Sequence, residues 1–224
     1  MQLQEQSRGR RLHLKAKNNF MFVIEIRIMD NKKRKVCLDN GYTFPLYNSE
    51  IRKFNIVENY ELDENTFSEI HSLLISRSVN RVLYLLGDCD KSTTSVRIKL
   101  KSGGYPDDVI ECAVDKLTEY GYLDDERYTR NYIESMRDCK GKSRREIVNK
   151  LFQKGIAPDI IERVISEYEF DEYTLVIKAL AKKNVDISEI GLMDIITRNN
   201  LYAYLMRKGF STDVCNRIFH NDFV

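Results

Sequence analysis

The sequence predicts a mainly α-helical protein: three tandem three-helix repeats in an elongated array, preceded by a small N-terminal antiparallel β subdomain. Three observations carry that prediction. The segments SVRIKLKSGGYPDDVIECAV, EIVNKLFQKGIAPDIIERVI and NLYAYLMRKGFSTDVCNRIF repeat one pattern, aligned on Gly104, Gly155 and Gly209. Apolar residues on both sides of each glycine recur with helical spacing. Ahead of them the chain is β-branched, aromatic and alternating instead, as strands are.

Residues 1 to 19 hold Arg8, Arg10, Arg11, Lys15 and Lys17 and no apolar run that could form a signal-peptide core or span a bilayer, so they read as a basic, disordered tail. Residues 20 to 65 form the β subdomain. Phe20 to Ile28 (FMFVIEIRI) is one strand, and KVCLDNGYTFPL alternates around Asp39, Asn40 and Gly41, a hairpin signal. Two or three such strands need a partner face, which a neighbouring helix can supply. The run Lys32 to Lys35 reads as a soluble hairpin loop.

Helical repeat 1 spans 66 to 123. Thr66 and Glu69 are spaced as a capping box before Phe67, Ile70 and Leu74, in a helix ending near Gly87. The two helices around Gly104 follow. Repeat 2 spans 124 to 170: Asp124 or Asp125 caps a helix with Tyr128, Tyr132, Ile133 and Met136 on its apolar face. Repeat 3 spans 171 to 224, opens with a helix from about Asp171 to Lys183, and carries extra residues around Val185 to Asp194.

The shared unit is legible position by position. Twelve residues before each glycine stands a hydroxyl residue, Ser92, Ser143 or Thr197, able to accept from the free amides of a new helix. Ser143 with Glu146 is spaced as a capping box. Four residues before each glycine stands Leu100, Leu151 or Leu205, and Tyr105, Ile156 or Phe210 follows it at once. A left-handed glycine closing the helix brings that pair together, the contact of a Schellman stop. Pro158 and Asp159 then open the next helix, with Ile160, Ile161, Val164, Ile165 and Tyr168 on its face. Gly141 falls in a loop by this reading.

Composition narrows the function. Cys37, Cys89, Cys112, Cys139 and Cys215 are odd in number, scattered and without paired metal spacing, so they read as reduced thiols. His13, His71 and His220 form no cluster for zinc or for a Ser/His/Asp arrangement, and the phosphate loop GxxxxGK[ST] is absent. No catalytic, cofactor-binding or metal residue is assigned. Asp107-Asp108 and Asp124-Asp125-Glu126 stand where helices begin, and capping outweighs metal binding there because no third ligand recurs beside them.

Net charge is only +2, yet it is unevenly placed. Arg137, Lys140, Lys142, Arg144, Arg145, Lys150 and Lys154 face only Asp138 and Glu146 over the same stretch. Arg144, Arg145 and Lys150 avoid the Ile147 and Leu151 face, so the cluster is either a solvated helix surface or a contact for DNA or an acidic partner. Tyr128, Tyr132 and Tyr168 fall on apolar faces, where core packing outweighs base stacking.

GYLDDERYTRNYI from Gly121 to Ile133, followed by GKSRREIVNKLFQKGI from Gly141 to Ile156, resembles the central signature of the RecX regulatory proteins. The resemblance reaches across both flanking repeats, from about residue 20 onward. It is specific in repeat 2, looser in repeat 1, where SGGYPDDVI replaces the usual basic turn, and loosest in repeat 3. It implies a cytoplasmic, monomeric, non-enzymatic regulator of the RecA recombinase. Proteins of that family are built from tandem three-helix repeats, bind in the groove of the RecA filament on single-stranded DNA, and restrain filament growth, ATP hydrolysis and strand exchange. Weak binding to single- or double-stranded DNA and no membrane association go with it. Two other classes stay open on the residues alone: a helix-turn-helix DNA-binding protein, and a helical-repeat scaffold for another protein.

Overall fold

The computed structural model describes residues 21–219, and its contacts divide the chain after Ile70 into two units. The tail at 1–19, Phe20 at the start of the expected first strand, and the last five residues of repeat 3 lie outside the described residues.

The first unit holds a four-stranded antiparallel sheet of β1 (Met21–Ile28), β2 (Lys33–Leu38), β3 (Thr43–Tyr47) and β4 (Glu61–Leu62), ordered β3-β2-β1-β4, with a short helix α1 (Asn48–Lys53) after β3. Sequence reading anticipated two or three strands. The fourth is two residues long, pairing Met21 with Leu62 and Phe22 with Glu61, too short to show an alternation. Asp39 to Gly41 make the expected turn, where the Asn40 Oδ1 accepts from the Tyr42 amide at 2.9 Å. Lys33, Arg34 and Lys35 are strand residues, a correction to the loop reading, because the ladder with β3 runs on to the pair Lys33 and Tyr47. Val23, Val36, Leu38, Phe44, Leu46 and Leu62 are buried. The partner face comes from a helix: the Phe67 ring lies edge-on to Tyr42 with centroids 5.5 Å apart.

The remaining helices form three trios. The first is α2 (Glu64–Leu86), α3 (Thr93–Ser102) and α4 (Asp107–Glu119). The second is α5 (Asp125–Glu134), which runs on as a π turn over Ser135–Cys139, then α6 (Arg144–Gln153) and α7 (Pro158–Ile165). The third is α8 (Glu172–Ala181), a 3-10 turn at Ile187–Leu192, α9 (Ile195–Lys208) and α10 (Thr212–Phe219). The extra residues of repeat 3 thus include that 3-10 turn, whose Ile190 is buried in the trio's core.

All three glycine stops form as expected. Gly104, Gly155 and Gly209 have φ of 82°, 73° and 84°. The Ile156 amide donates to the Leu151 carbonyl at 3.2 Å, and Phe210 does the same to Leu205 at 3.3 Å. Both apolar partners of each stop are buried, and Ile133, Ile147, Leu151, Ile156 and Val164 make the second trio's core. Gly141 is also left-handed, at φ 61°: its amide closes the π turn onto the Arg137 carbonyl, so it is a turn closure instead of the free loop expected.

Three caps differ from the sequence reading. α2 begins three residues early because Asp63 accepts from the Thr66 amide and hydroxyl, so no Thr66–Glu69 box forms. Ser143 accepts from the Glu146 amide at 3.1 Å, but the return half of that box is missing, since the Glu146 carboxylate is taken by Lys142 at 2.7 Å. α9 starts one turn ahead of its counterparts, capped by Asp194, and Thr197 lies inside its first turn with its hydroxyl on Asp194.

The hydroxyl caps have a second role that the sequence did not announce: each ties one trio to the next. Ser92 Oγ donates to the Lys154 carbonyl at 2.8 Å, and Ser143 Oγ donates to the Lys208 carbonyl at 2.6 Å. The cap of one repeat therefore docks on the residue just before the next repeat's glycine. Both serines are wholly buried. Close approach demands glycine there for a reason beyond φ: a Cβ on Gly155 would stand 2.6 Å from Thr94 Cβ, and one on Gly209 would stand 2.9 Å from Arg145 Cβ.

Candidate functional site

The first stretch of the repeat 2 signature, Gly121 to Ile133, is largely architectural. Asp124 caps α5, accepting from the Arg127 amide, and Asp125 accepts from the Thr93 amide of the preceding trio at 2.8 Å. Glu126 pairs with Arg130 and Arg163, each at 2.8 Å, and Arg130 also pairs with Glu167, which holds the Glu167 carboxyl below its usual range. Asn131 Nδ2 donates to Asp90 at 2.8 Å. Tyr128 and Tyr132 stack with centroids 6.2 Å apart and pack on the trio's core, as anticipated. The acids of repeat 1 act differently from the reading: Pro106 stands at the start of α4 without a side-chain cap, while Asp107 pairs with Lys101 and Asp108 with His71. A lysine and a histidine within reach draw those carboxylates away from the amides.

The seven basic residues separate into two groups. Arg137 is engaged: its guanidinium pairs with Asp138 at 2.7 Å and lies 5.0 Å over the Tyr168 ring. Lys154 is engaged as well, with Nζ over Tyr132 at 5.3 Å and over Tyr128 at 5.9 Å. Arg144 is exposed on the first turn of α6 and stands apart from the hollows at the neighbouring joint. Lys140, Lys142, Arg145 and Lys150 do come together, at the joint between the second and third trios.

Three adjoining hollows meet there. One of about 300 Å³ is lined by Lys140, Lys142, Glu146, Lys182, Tyr204 and Lys208 over an apolar floor of Ala179 and Phe210. A second, of about 350 Å³, lies between α6 and α9 and takes in Arg145, Asn149, Lys150, Gln153, Arg207 and Lys208. A third, of about 330 Å³, joins Tyr132 and Met136 to Lys140, Lys142 and Lys150. Glu146 lines all three, and shared residues make them one trough. Its cations are Lys140, Lys142, Arg145, Lys150, Lys182, Arg207 and Lys208, and Glu146 is the one carboxylate among the described residues that line it.

Lys182, Arg207 and Lys208 were missed by the sequence reading. A signal existed for Lys208, which stands immediately before Gly209 as Lys154 stands before Gly155. Lys182 Nζ donates to the Lys140 carbonyl at 2.8 Å, a contact that no local pattern could announce. Chemically the trough can neutralise several anionic groups in a row. Among the described residues no group of three or more His, Cys, Asp or Glu side chains could hold a metal ion, and no helix is long and apolar enough to cross a membrane.

Comparison with known proteins matches the first two helix trios. The family model for the first three-helix domain of RecX matches residues 79–117, and that for the second matches residues 124–165. The chain is 28% identical over 199 residues to a protein named Regulatory protein RecX from Bacillus velezensis, covering 88% of this chain and 75% of that one. It is 28% identical over 211 residues to the protein of the same name from Finegoldia magna, covering 88% and 98%. Among solved structures, a crystal structure of regulatory protein RecX superposes with a TM-score of 0.59 at 22% identity, covering 90% of this chain and all of that one. The RecX of Lactobacillus salivarius gives 0.57 at 23% identity, covering 67% and 97%. Both superpositions speak to the fold. The first two helix trios each match a RecX domain, the fold is shared, and relatives named Regulatory protein RecX are matched along most of their length, so this chain is similar to the RecX regulatory proteins.

Proposed function

We propose that this protein is a non-enzymatic, cytoplasmic regulator that binds the RecA recombinase and its filament on single-stranded DNA and restrains filament extension, ATP hydrolysis and strand exchange. The likeness to proteins named Regulatory protein RecX points to a regulator, and the observation that carries the site is the trough at the second joint. Its seven cations against one carboxylate span two repeats, and no single helix carries them all. A run of that kind suits an extended polyanion better than a single anionic group. The three repeats, taken as 66 to 123, 124 to 170 and 171 to 224, act as one body held by their hydroxyl-to-carbonyl joints, so a partner engaged at two repeats is held at a fixed spacing. Lys140, Lys142, Arg145 and Lys150, joined by Lys182, Arg207 and Lys208, are the contacting residues in this reading.

The test is ATP hydrolysis by the cognate RecA on single-stranded DNA. Substoichiometric amounts of this protein are expected to slow it. An unchanged rate at equimolar protein, beside a control showing that the filament has formed, overturns the proposal. Capture on the filament compared with bare single-stranded DNA at matched salt separates a filament regulator from a plain DNA-binding protein.

A further inference from the structure

The trough contains its own antagonist. Glu146 lines all three hollows, and Lys142 Nζ donates to its Oε1 at 2.7 Å. The pair is partly sheltered, with side chains 29% and 22% exposed. Helix capping does not account for this carboxylate, because Ser143 alone caps α6 and Glu146 contributes only its amide. Stability accounts for little of it either, since partly exposed ion pairs contribute weakly. Its position is nevertheless fixed. The Glu146 amide is bonded to Ser143 Oγ, which is bonded in turn to the Lys208 carbonyl across the joint, so the carboxylate is anchored among the lysines it opposes.

We propose that Glu146 is a built-in counter-charge that withholds Lys142 from incoming phosphate and so holds down the affinity of the trough for single-stranded nucleic acid. This rests on the polyanion reading of the trough. A phosphate approaching Lys142 meets a carboxylate already in hydrogen-bond contact, and must displace it or be repelled by it. Nucleic acid is favoured over an acidic protein segment because the cations continue through three adjoining hollows, as a run of backbone phosphates requires.

The test is binding of a fluorescent oligodeoxythymidylate at several salt concentrations by the full chain and by Glu146→Gln, which keeps the side chain's size and removes its charge. Glu146→Gln is expected to bind several-fold tighter at low salt, with a dependence on salt steeper by about one counterion, because Lys142 becomes available to phosphate. In a Lys142→Gln background the same change is expected to give no gain. Equal affinity and slope for the two proteins overturn the assignment, and so does a gain that persists without Lys142. Circular dichroism checks that each variant folds. If the unaltered protein binds neither the oligonucleotide nor the RecA filament at low salt, the functional reading itself falls. If it binds and Glu146→Gln binds no better, that reading stands and only the counter-charge falls.

Discussion

The joint between the first and second trios and the joint between the second and third are built on one backbone plan with opposite chemistry. In both, a buried serine cap donates to the carbonyl just before the next glycine. The three residues after the serine set the two joints apart. At the first joint they are Thr93-Thr94-Ser95: Thr94 Oγ1 donates to the Gly155 carbonyl at 2.9 Å, Asp125 takes the Thr93 amide, and the hollow beside the seam, about 600 Å³, is lined by Asp115, Asp124, Asp125 and Glu126 with Arg97 as its one cation among the described residues. At the second they are Arg144-Arg145-Glu146: the short hydroxyls are replaced by long charged chains, and Arg145 lines an open trough. The charge that lines a joint can therefore be reversed while its serine-to-carbonyl bond is kept.

The severest way to break that comparison is to place a side chain in the seam. Gly155→Val adds a β-branched residue at φ 73° and drives it into Thr94. Left-handed strain of about 1–2 kcal/mol and overpacking of about 1–3 kcal/mol add up to about 3 kcal/mol. Calorimetry is expected to show a Tm lower by roughly 6 to 12 °C, at roughly 2 to 4 °C per kcal/mol in a chain of this size. Gly141→Val is the contrast: the same handedness applies, but a Cβ there comes no closer than 3.9 Å to Leu175, so only the strain is expected. Equal losses at the two sites would remove the steric part of the joint.

A gentler cut deletes the hydroxyls. Ser92→Ala and Ser143→Ala each remove a helix cap and leave a carbonyl at the joint without its donor, a loss of about 1–3 kcal/mol. The first joint keeps its Thr94 and Asp125 bonds, whereas the second keeps the bond from Lys182 to the Lys140 carbonyl. Hydrogen exchange is therefore expected to report a larger loss of protection in α9 and α10 of Ser143→Ala than in α6 and α7 of Ser92→Ala. The reverse order would show that the first seam's extra bonds add nothing.

These joints also mark how far the sequence could be read. The glycine stops, the three helices per repeat and the apolar faces were legible, because each follows from local spacing that only one backbone conformation satisfies. The caps were less so. Thr66 and Thr197 looked like helix starts, yet Asp63 and Asp194, three residues earlier in each case, accept from their amides and set the start one turn sooner. A carboxylate and a hydroxyl both suit that role, and spacing alone does not rank them. Of the seven basic residues singled out, four line the trough, and the three that join them come from repeat 3. Which cations meet is a matter of trio packing, with Lys140 and Lys182 brought together across 42 residues of chain. The first stretch of the signature, Gly121 to Ile133, was read for function and holds the first seam through Asp125 and Asn131, whereas the second stretch lends Lys142, Arg145 and Lys150 to the trough.

The binding side of the comparison is sharpened by Arg145→Ala combined with Arg207→Ala. Both residues are exposed and line the hollow between α6 and α9, so the helices are expected to fold unchanged. Filament affinity is expected to fall several-fold, about 1 kcal/mol, with a flatter salt dependence because fewer counterions are released. Arg144→Ala, outside the trough, is expected to do less. Similar losses from both variants would mean that charge on this side of the molecule matters and the trough does not.

The smallest expected effect separates α6 from α9 by pH. Ser143 caps α6 with a hydroxyl that does not titrate in acid, whereas Asp194 caps α9 with a carboxylate held below its ordinary pKa, chiefly by the Thr197 hydroxyl and then by the Thr197 amide. Asp171, which caps α8, is lowered in the same way by Thr174. A carboxyl whose folded pKa is depressed contributes stability that is present above its unfolded value, about 3.9, and that is lost as pH falls through the folded value. Both caps are fully exposed, so the effect is modest and screened by salt. Amide protection, corrected for the intrinsic pH dependence of exchange, is expected to hold in α6 and to decline in the first turns of α8 and α9 as pH drops from neutral to below that range. Asp194→Asn supplies a neutral acceptor in the same place and is expected to flatten the α9 response. Protection in α6 and α9 falling in parallel, with Asp194→Asn unchanged from the parent, would assign the acid sensitivity to the shared joint and remove the difference in caps as its cause.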